Sequence, residues 1–108
     1  GGETTVTITG KGLGGRGQEF SLAMAIDIAG NESIVALSAG TDGTDGPTEA
    51  AGAVADTDTF KRAVSMGLDP RQFLVNNDSY HFFDQLGDLF ITGPTNTNVM
   101  DMRIILVI

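Results

Sequence analysis

Apolar and polar positions alternate along this chain on two different periods, and the period switches several times. Residues 4–9, Thr4-Thr5-Val6-Thr7-Ile8-Thr9, are β-branched throughout and set Val6 and Ile8 against threonines, the pattern of a strand with one buried face. Over residues 18–29 the apolar set Phe20, Leu22, Ala23, Ala25, Ile26 and Ala29 follows helical spacing, with Gly30-Asn31 as the stop. Residues 33–39 read as a second strand and residues 52–55 as a short third one. Asp56 or Thr57 caps a helix running to about Met66, with Phe60, Ala63, Val64 and Met66 inward. Asp69-Pro70 opens a short helix to about Val75, and Asp78 or Ser79 opens another that Gly87 ends. Residues 89–91 read as a buried strand, and the run 102–108, apolar but for Arg103, as a strand at the centre of the sheet. Strands alternate with helices. The pattern predicts an α/β fold: a mixed, mostly parallel sheet of about five strands covered by helices.

Polar, glycine-rich loops separate these elements, and they carry the candidate chemistry. Gly40-Thr41-Asp42-Gly43-Thr44-Asp45-Gly46-Pro47-Thr48 follows directly on a buried strand. Glycine and proline explain the turn, but a turn needs only one of its aspartates. Ligands in open α/β sheets sit outside the carboxyl ends of strands, so Asp42 and Asp45 are candidates for a site. Together they suit Mg²⁺, which takes one or two carboxylates plus substrate phosphate; an Asx-rich turn is the plain alternative. The loop lacks the further ligands of an EF-hand.

Gly10-Lys11-Gly12-Leu13-Gly14-Gly15-Arg16-Gly17 lies between a strand and a helix and formally contains the dinucleotide fingerprint at Gly10, Gly12 and Gly15. The acidic residue that should close the second strand is missing, and so is the Walker A lysine-serine pair. A general anion cradle, built from backbone N–H groups and Arg16, is the sharper reading; a flexible turn with solvated charges is the alternative. Thr95-Asn96-Thr97-Asn98 offers hydroxyls and amides, or a plain turn. His81 and the phenylalanines at 60, 73, 82, 83 and 90 read as packing residues.

Composition narrows the function classes. The 108 residues suffice for one domain, and a formal charge of −8, from six basic against fourteen acidic residues, leaves no basic face for nucleic acid or an anionic membrane. No apolar run is long enough to span a bilayer, and no signal peptide is visible. Cysteine is absent, which excludes thiolate metal sites and fits a cytoplasmic location. Neither end has the form of a natural terminus, so a piece of a longer protein is expected.

Several separated motifs then carry a resemblance. Gly2-Glu3-Thr4-Thr5-Val6, the stretch from Gly10 to Glu19, Ala39 to Thr48, Asn77-Asp78-Ser79-Tyr80, Thr92-Gly93-Pro94-Thr95 and Thr97-Asn98-Val99 with Asp101 resemble, in order, the MOFRL domain. That domain is the C-terminal part of class II glycerate 2-kinases, some of which carry the older label hydroxypyruvate reductase. The resemblance implies phosphorylation of D-glycerate to 2-phosphoglycerate with ATP and Mg²⁺, in a cleft shared with an N-terminal domain. It implies that Arg16, Asp42 and Asp45 are catalytic, with Asp42 and Asp45 at the metal. Glu3, Arg16, Thr95 and Asn98 would bind substrate, and Lys11, Gly12 and Gly15 would bind the nucleotide. The family's usual Asn after the Gly-Gly-Arg triplet is Gly17 here. The 108 residues alone are expected to lack kinase activity. A nucleotide-binding reductase module and a non-catalytic interaction domain are the rival readings, and a homo-oligomer is left open.

Overall fold

The computed structural model describes residues 12–31, 33–93, 95 and 101–107. The expected strand at residues 4–9 lies outside them. The elements run α1 (Arg16–Asp27), β1 (Ile34–Gly40), β2 (Gly52–Asp56), α2 (Thr59–Ser65), α3 (Pro70–Val75), α4 (Ser79–Leu86), β3 (Leu89–Phe90) and β4 (Asp101–Val107). Among the described residues the sheet has four strands in the order β3-β2-β1-β4, and every pairing is antiparallel.

This corrects the mostly parallel, five-stranded sheet expected from the alternation of elements. A parallel neighbour needs a crossover, usually helical. Residues 41–51 carry no helix, so the chain turns back and β2 pairs antiparallel with β1, Ala39 opposite Gly52. Among the described residues strand β4, expected at the centre, borders β1 alone, and Ile105, Leu106 and Val107 are 50%, 55% and 70% exposed.

One face of the sheet builds the core. Ala36 and Ser38 of β1 and Ala53 and Ala55 of β2 point to it and are buried. Their small side chains let α1 lie close, where Ser21 donates a hydrogen bond of 2.7 Å to the Ala53 carbonyl. Leu22 and Ala25 of α1, Ala63 of α2, and Phe82, Phe83 and Leu86 of α4 complete the cluster, with Phe73 and Leu74 of α3 against it. Phe82 meets Phe73 and Phe83 edge-on, at centroid distances of 5.6 and 5.0 Å, the arrangement that aromatic quadrupoles prefer. Val35, Leu37, Val54, Met102, Ile104 and Leu106 fall on the opposite face, half-buried or exposed.

Local signals set some helix ends, but the N-cap of α2 is Asp58 rather than the expected Asp56 or Thr57, and neither α2 nor α4 has a side-chain cap. Asp69 accepts a hydrogen bond from Arg71 N ahead of Pro70, and Gly87 ends α4 at φ 76. Val64 and Met66, expected inward, are more than half exposed. His81 also departs from the packing role: its side chain is 54% exposed and lies 2.6 Å from the Asp78 carboxylate.

Gly52 marks the tightest point of the sheet, because a Cβ there would lie 1.7 Å from the Ser38 carbonyl oxygen. Gly52→Ala is therefore expected to cost about 1–3 kcal/mol through forced backbone shifts. Val64→Ala, at an exposed position, should stay within about 0.5 kcal/mol. Chemical denaturation of the two variants checks both.

Candidate functional site

Antiparallel pairing collects four strand ends at one rim. Gly40 closes β1 opposite Asp101 of β4, while Ala39 faces Gly52 and Gly52 faces Phe90. Helix α1 starts at the same rim, because its first residue, Arg16, contacts Asp101 there.

The aspartate loop folds back onto the start of α1. Asp45 accepts hydrogen bonds from Gly17 N at 2.9 Å and Gln18 N at 2.7 Å, one on each carboxylate oxygen. These donors belong to the first turn of α1, whose N–H groups have no partner inside the helix. Asp45 is thus a capping anion reaching across from a distant loop, and it is 5% exposed. The buried Gln18 amide donates to the Asp45 carbonyl and to Thr48 Oγ1, and Thr48 Oγ1 donates to the Asp45 carbonyl at 2.8 Å. Burial pushes the Asp45 carboxyl above its ordinary value, against the hydrogen bonds from Gly17 and Gln18, with a further push from the charge on Asp101.

The glycine loop is packed against protein on both sides. Gly12 N donates to the Asn76 carbonyl at 2.8 Å, Leu13 N to Asp78 Oδ1 at 2.9 Å, and Tyr80 N to the Leu13 carbonyl at 2.9 Å. A Cβ on Gly12 would lie 2.3 Å from Asp78 Cβ, and one on Gly15 would lie 2.4 Å from Asp45 Oδ1. The N–H groups of Gly12, Leu13, Gly17 and Gln18 all serve the fold. The N–H of Gly12 is thus engaged with Asn76, and Lys11 lies outside the described residues.

Arg16 Nε lies 2.6 Å from Asp101 Oδ2, with the two side chains 34% and 6% exposed. That oxygen is buried and accepts no aligned hydrogen bond, so the pairing is a charge contact. Asp42 sits on the loop that leaves Gly40, half-buried, with its Oδ1 accepting from Thr44 N at 3.1 Å. Thr95 Oγ1 donates to the Thr41 carbonyl, and a Cβ on Gly43 would strike the Gly93 carbonyl. Arg16, Asp42, Asp45 and Thr95 are thereby linked through Asp101, Gly40 and Thr41 at one rim. Glu3 and Asn98 lie outside the described residues.

A metal ion has few ligands to choose from. Among the described residues no group of three His, Cys, Asp or Glu side chains is arranged to hold one. Asp45 spends both oxygens on α1. Asp42 has one carboxylate oxygen engaged by Thr44 and is half-buried. It fits the single-carboxylate contribution common for Mg²⁺.

Several residues of this rim carried no role in the sequence reading. Asp101 opens β4 and holds Arg16. Glu19 is 8% exposed, accepts from Asn77 Nδ2 at 2.6 Å, and has its carboxyl pushed up by burial. Asn77 stands at φ 55, the left-handed region that asparagine tolerates. Tyr80 donates to Glu49, tying α4 to the aspartate loop, and this bond pushes the Tyr80 hydroxyl up to about 12. Asp101, Glu19, Asn77 and Tyr80 all stand in the motifs that carried the family resemblance, which gave them no role; the pairing of Glu19 with Asn77, 58 residues apart, had no local signal.

Comparison with known proteins adds a family to this geometry. The MOFRL family model matches residues 1–101. D-glycerate 2-kinase of Thermotoga maritima is 54% identical over 100% of the chain, which spans 26% of that protein. Its crystal structure, of a glycerate kinase, superposes with a TM-score of 0.97 over 100% of the chain. Glycerate kinase of Danio rerio is 50% identical over 98% of the chain and 22% of its own length. A protein of Agrobacterium vitis that carries the hydroxypyruvate reductase name is 50% identical over 99% of the chain and 28% of its own length. The chain thus spans about a quarter of the length of the curated relatives it matches.

The raised carboxyls give a pH signature. Asp45 and Glu19 rise from ordinary values of 3.8 and 4.5, so the folded chain binds more protons than the unfolded one above those values. Their contribution to stability is greatest below pH 3.8 and declines as pH rises through the folded-state pKa values. The stability of the parent minus that of Asp45→Asn should accordingly fall between pH 4 and the neutral range. A difference that grows with pH would mean that the α1 N-terminus outweighs burial. Asp45→Ala should cost about 1–2 kcal/mol, the range for a lost helix cap.

Proposed function

The chain belongs to the MOFRL family, and from that premise we propose that it forms part of the site at which a glycerate 2-kinase phosphorylates D-glycerate with ATP. Its relatives named glycerate kinase, each several times longer, support this reading. In it the chain is the C-terminal domain of a longer cytoplasmic enzyme, and the site is shared with the N-terminal domain. No helix among the described residues is long and apolar enough to cross a membrane.

The observation that carries the proposal is the placement of Arg16. It is the first residue of α1, its side chain is one-third exposed, and it stands beside the rim that bears Asp42. Phosphoryl transfer depends on positioning and on neutralising charge on the transferred group. A guanidinium offers two parallel N–H bonds to a carboxylate or phosphate, which suits both glycerate and the moving phosphoryl group. Asp42 would contribute one oxygen to Mg²⁺, which when bound neutralises charge on the phosphates. In this reading Asp42 would also accept a hydrogen bond from a substrate hydroxyl. Thr95, and Glu3 and Asn98 beyond the described residues, are proposed to contact substrate. Asp45 has a holding role in this scheme, since its carboxylate keeps the first turn of α1 in place.

The nucleotide is assigned to the N-terminal domain, because the N–H groups of Gly12, Leu13, Gly17 and Gln18 are taken by Asn76, Asp78 and Asp45. The same occupancy argues against a dinucleotide pyrophosphate at this helix, and so against the reductase reading.

In the full-length protein, Arg16→Ala should lower glycerate-dependent ATP consumption by about 10²–10³-fold, the range for removing one donor to developing charge. Asp42→Ala should raise the Mg²⁺ concentration needed for half-maximal rate. Full activity in both variants would leave a non-catalytic interaction domain as the better reading. NADH oxidation driven by hydroxypyruvate would favour the reductase.

A further inference from the structure

Building on the kinase reading, we infer that Asp101 is a positioning residue, which acts on the substrate by fixing the direction of the Arg16 side chain. Three observations carry this. Asp101 Oδ2 lies 2.6 Å from Arg16 Nε, and its side chain is 6% exposed, so the contact is shielded from solvent and salt. The contact falls on Nε, the inner nitrogen of the guanidinium, so the Asp101 charge draws the side chain to one side of the rim from its stem. Asp101 also sits at a rigid point: it opens β4 and is paired with Gly40, from which the Asp42 loop departs.

The local electrostatics speak for function rather than stability. Asp101 stands near enough to Asp45 to push that buried carboxyl up further. Two carboxylates therefore bracket one arginine by different routes. Asp45 holds the backbone of the first turn through Gly17 and Gln18 N, and Asp101 holds the side chain. Placing a second buried carboxylate beside Asp45 carries an electrostatic cost. An arginine that must be held in one direction gives a reason for it.

The test is a double-mutant cycle in the full-length protein, with kcat and KM for glycerate measured for Asp101→Asn, Arg16→Ala and the pair. Asp101→Asn preserves shape and removes charge. It should lower kcat/KM on the order of 10-fold, within the range for coupled neighbours. In the Arg16→Ala background the same change should have almost no further effect, and Asp101→Glu should recover part of the loss. Independent, additive losses would overturn the inference, as would an Asp101→Asn enzyme with unchanged kcat/KM. The Arg16 Nε–H resonance in isotope-labelled full-length protein gives a second readout that needs no turnover. It should move in Asp101→Asn, and an unmoved signal overturns the inference. A parent protein with no glycerate-dependent ATP consumption would instead strike the kinase reading, while the resonance would still report whether Asp101 orients Arg16.

Discussion

The carboxylate of Asp45, seated on the first turn of α1, is the contact on which the rest of the rim depends. A helix start leaves N–H groups without partners, and a buried start must find them elsewhere. Here the answer comes from the loop between β1 and β2, so one side chain joins the helix layer to the sheet layer. The junction dictates the composition around it. Gly15, Gly17 and Gly46 lie where the loop and the helix start approach each other, and a Cβ on Gly46 would meet the Gly14 carbonyl oxygen at 2.4 Å. Gln18 and Thr48 both donate to the Asp45 carbonyl and bond each other. With that junction in place, Arg16 has a fixed origin and Asp42 a fixed neighbour.

How much of this could be read from residues alone follows from the distance over which each signal acts. Helix ends were legible because caps are local: Asp69 before Pro70 and Gly87 after α4 stand where the chain says they should. Strand direction was not, since a strand has the same side-chain period in either direction. The missing helix between residues 40 and 52 was the only hint that β2 returns beside β1. The apolar run of β4 reads like a buried central strand, yet among the described residues it borders β1 alone.

The site divides in the same way. That the Gly-rich loops belong together was legible, because glycine and aspartate mark turns at the ends of apolar runs. The roles inside them were less so. Asp42 and Asp45 look alike in sequence, but one has both oxygens on helix N–H groups and the other stands half-buried at the rim. The bond that separates them spans 28 residues, and nothing local announces it. The glycines offered the same ambiguity. A loop that lets a phosphate approach and a loop that lets another backbone approach need the same missing Cβ, and only coordinates tell which body fills the space.

The bare side of the sheet has a practical consequence for handling the molecule. Leu37, Ile104 and Leu106 share it, and Ile104 and Leu106 are 40% and 55% exposed. Exposed apolar faces invite neighbouring copies to stick. A gene shortened to this stretch would accordingly leave that face open to water, and a fused soluble carrier would counter the resulting tendency to clump.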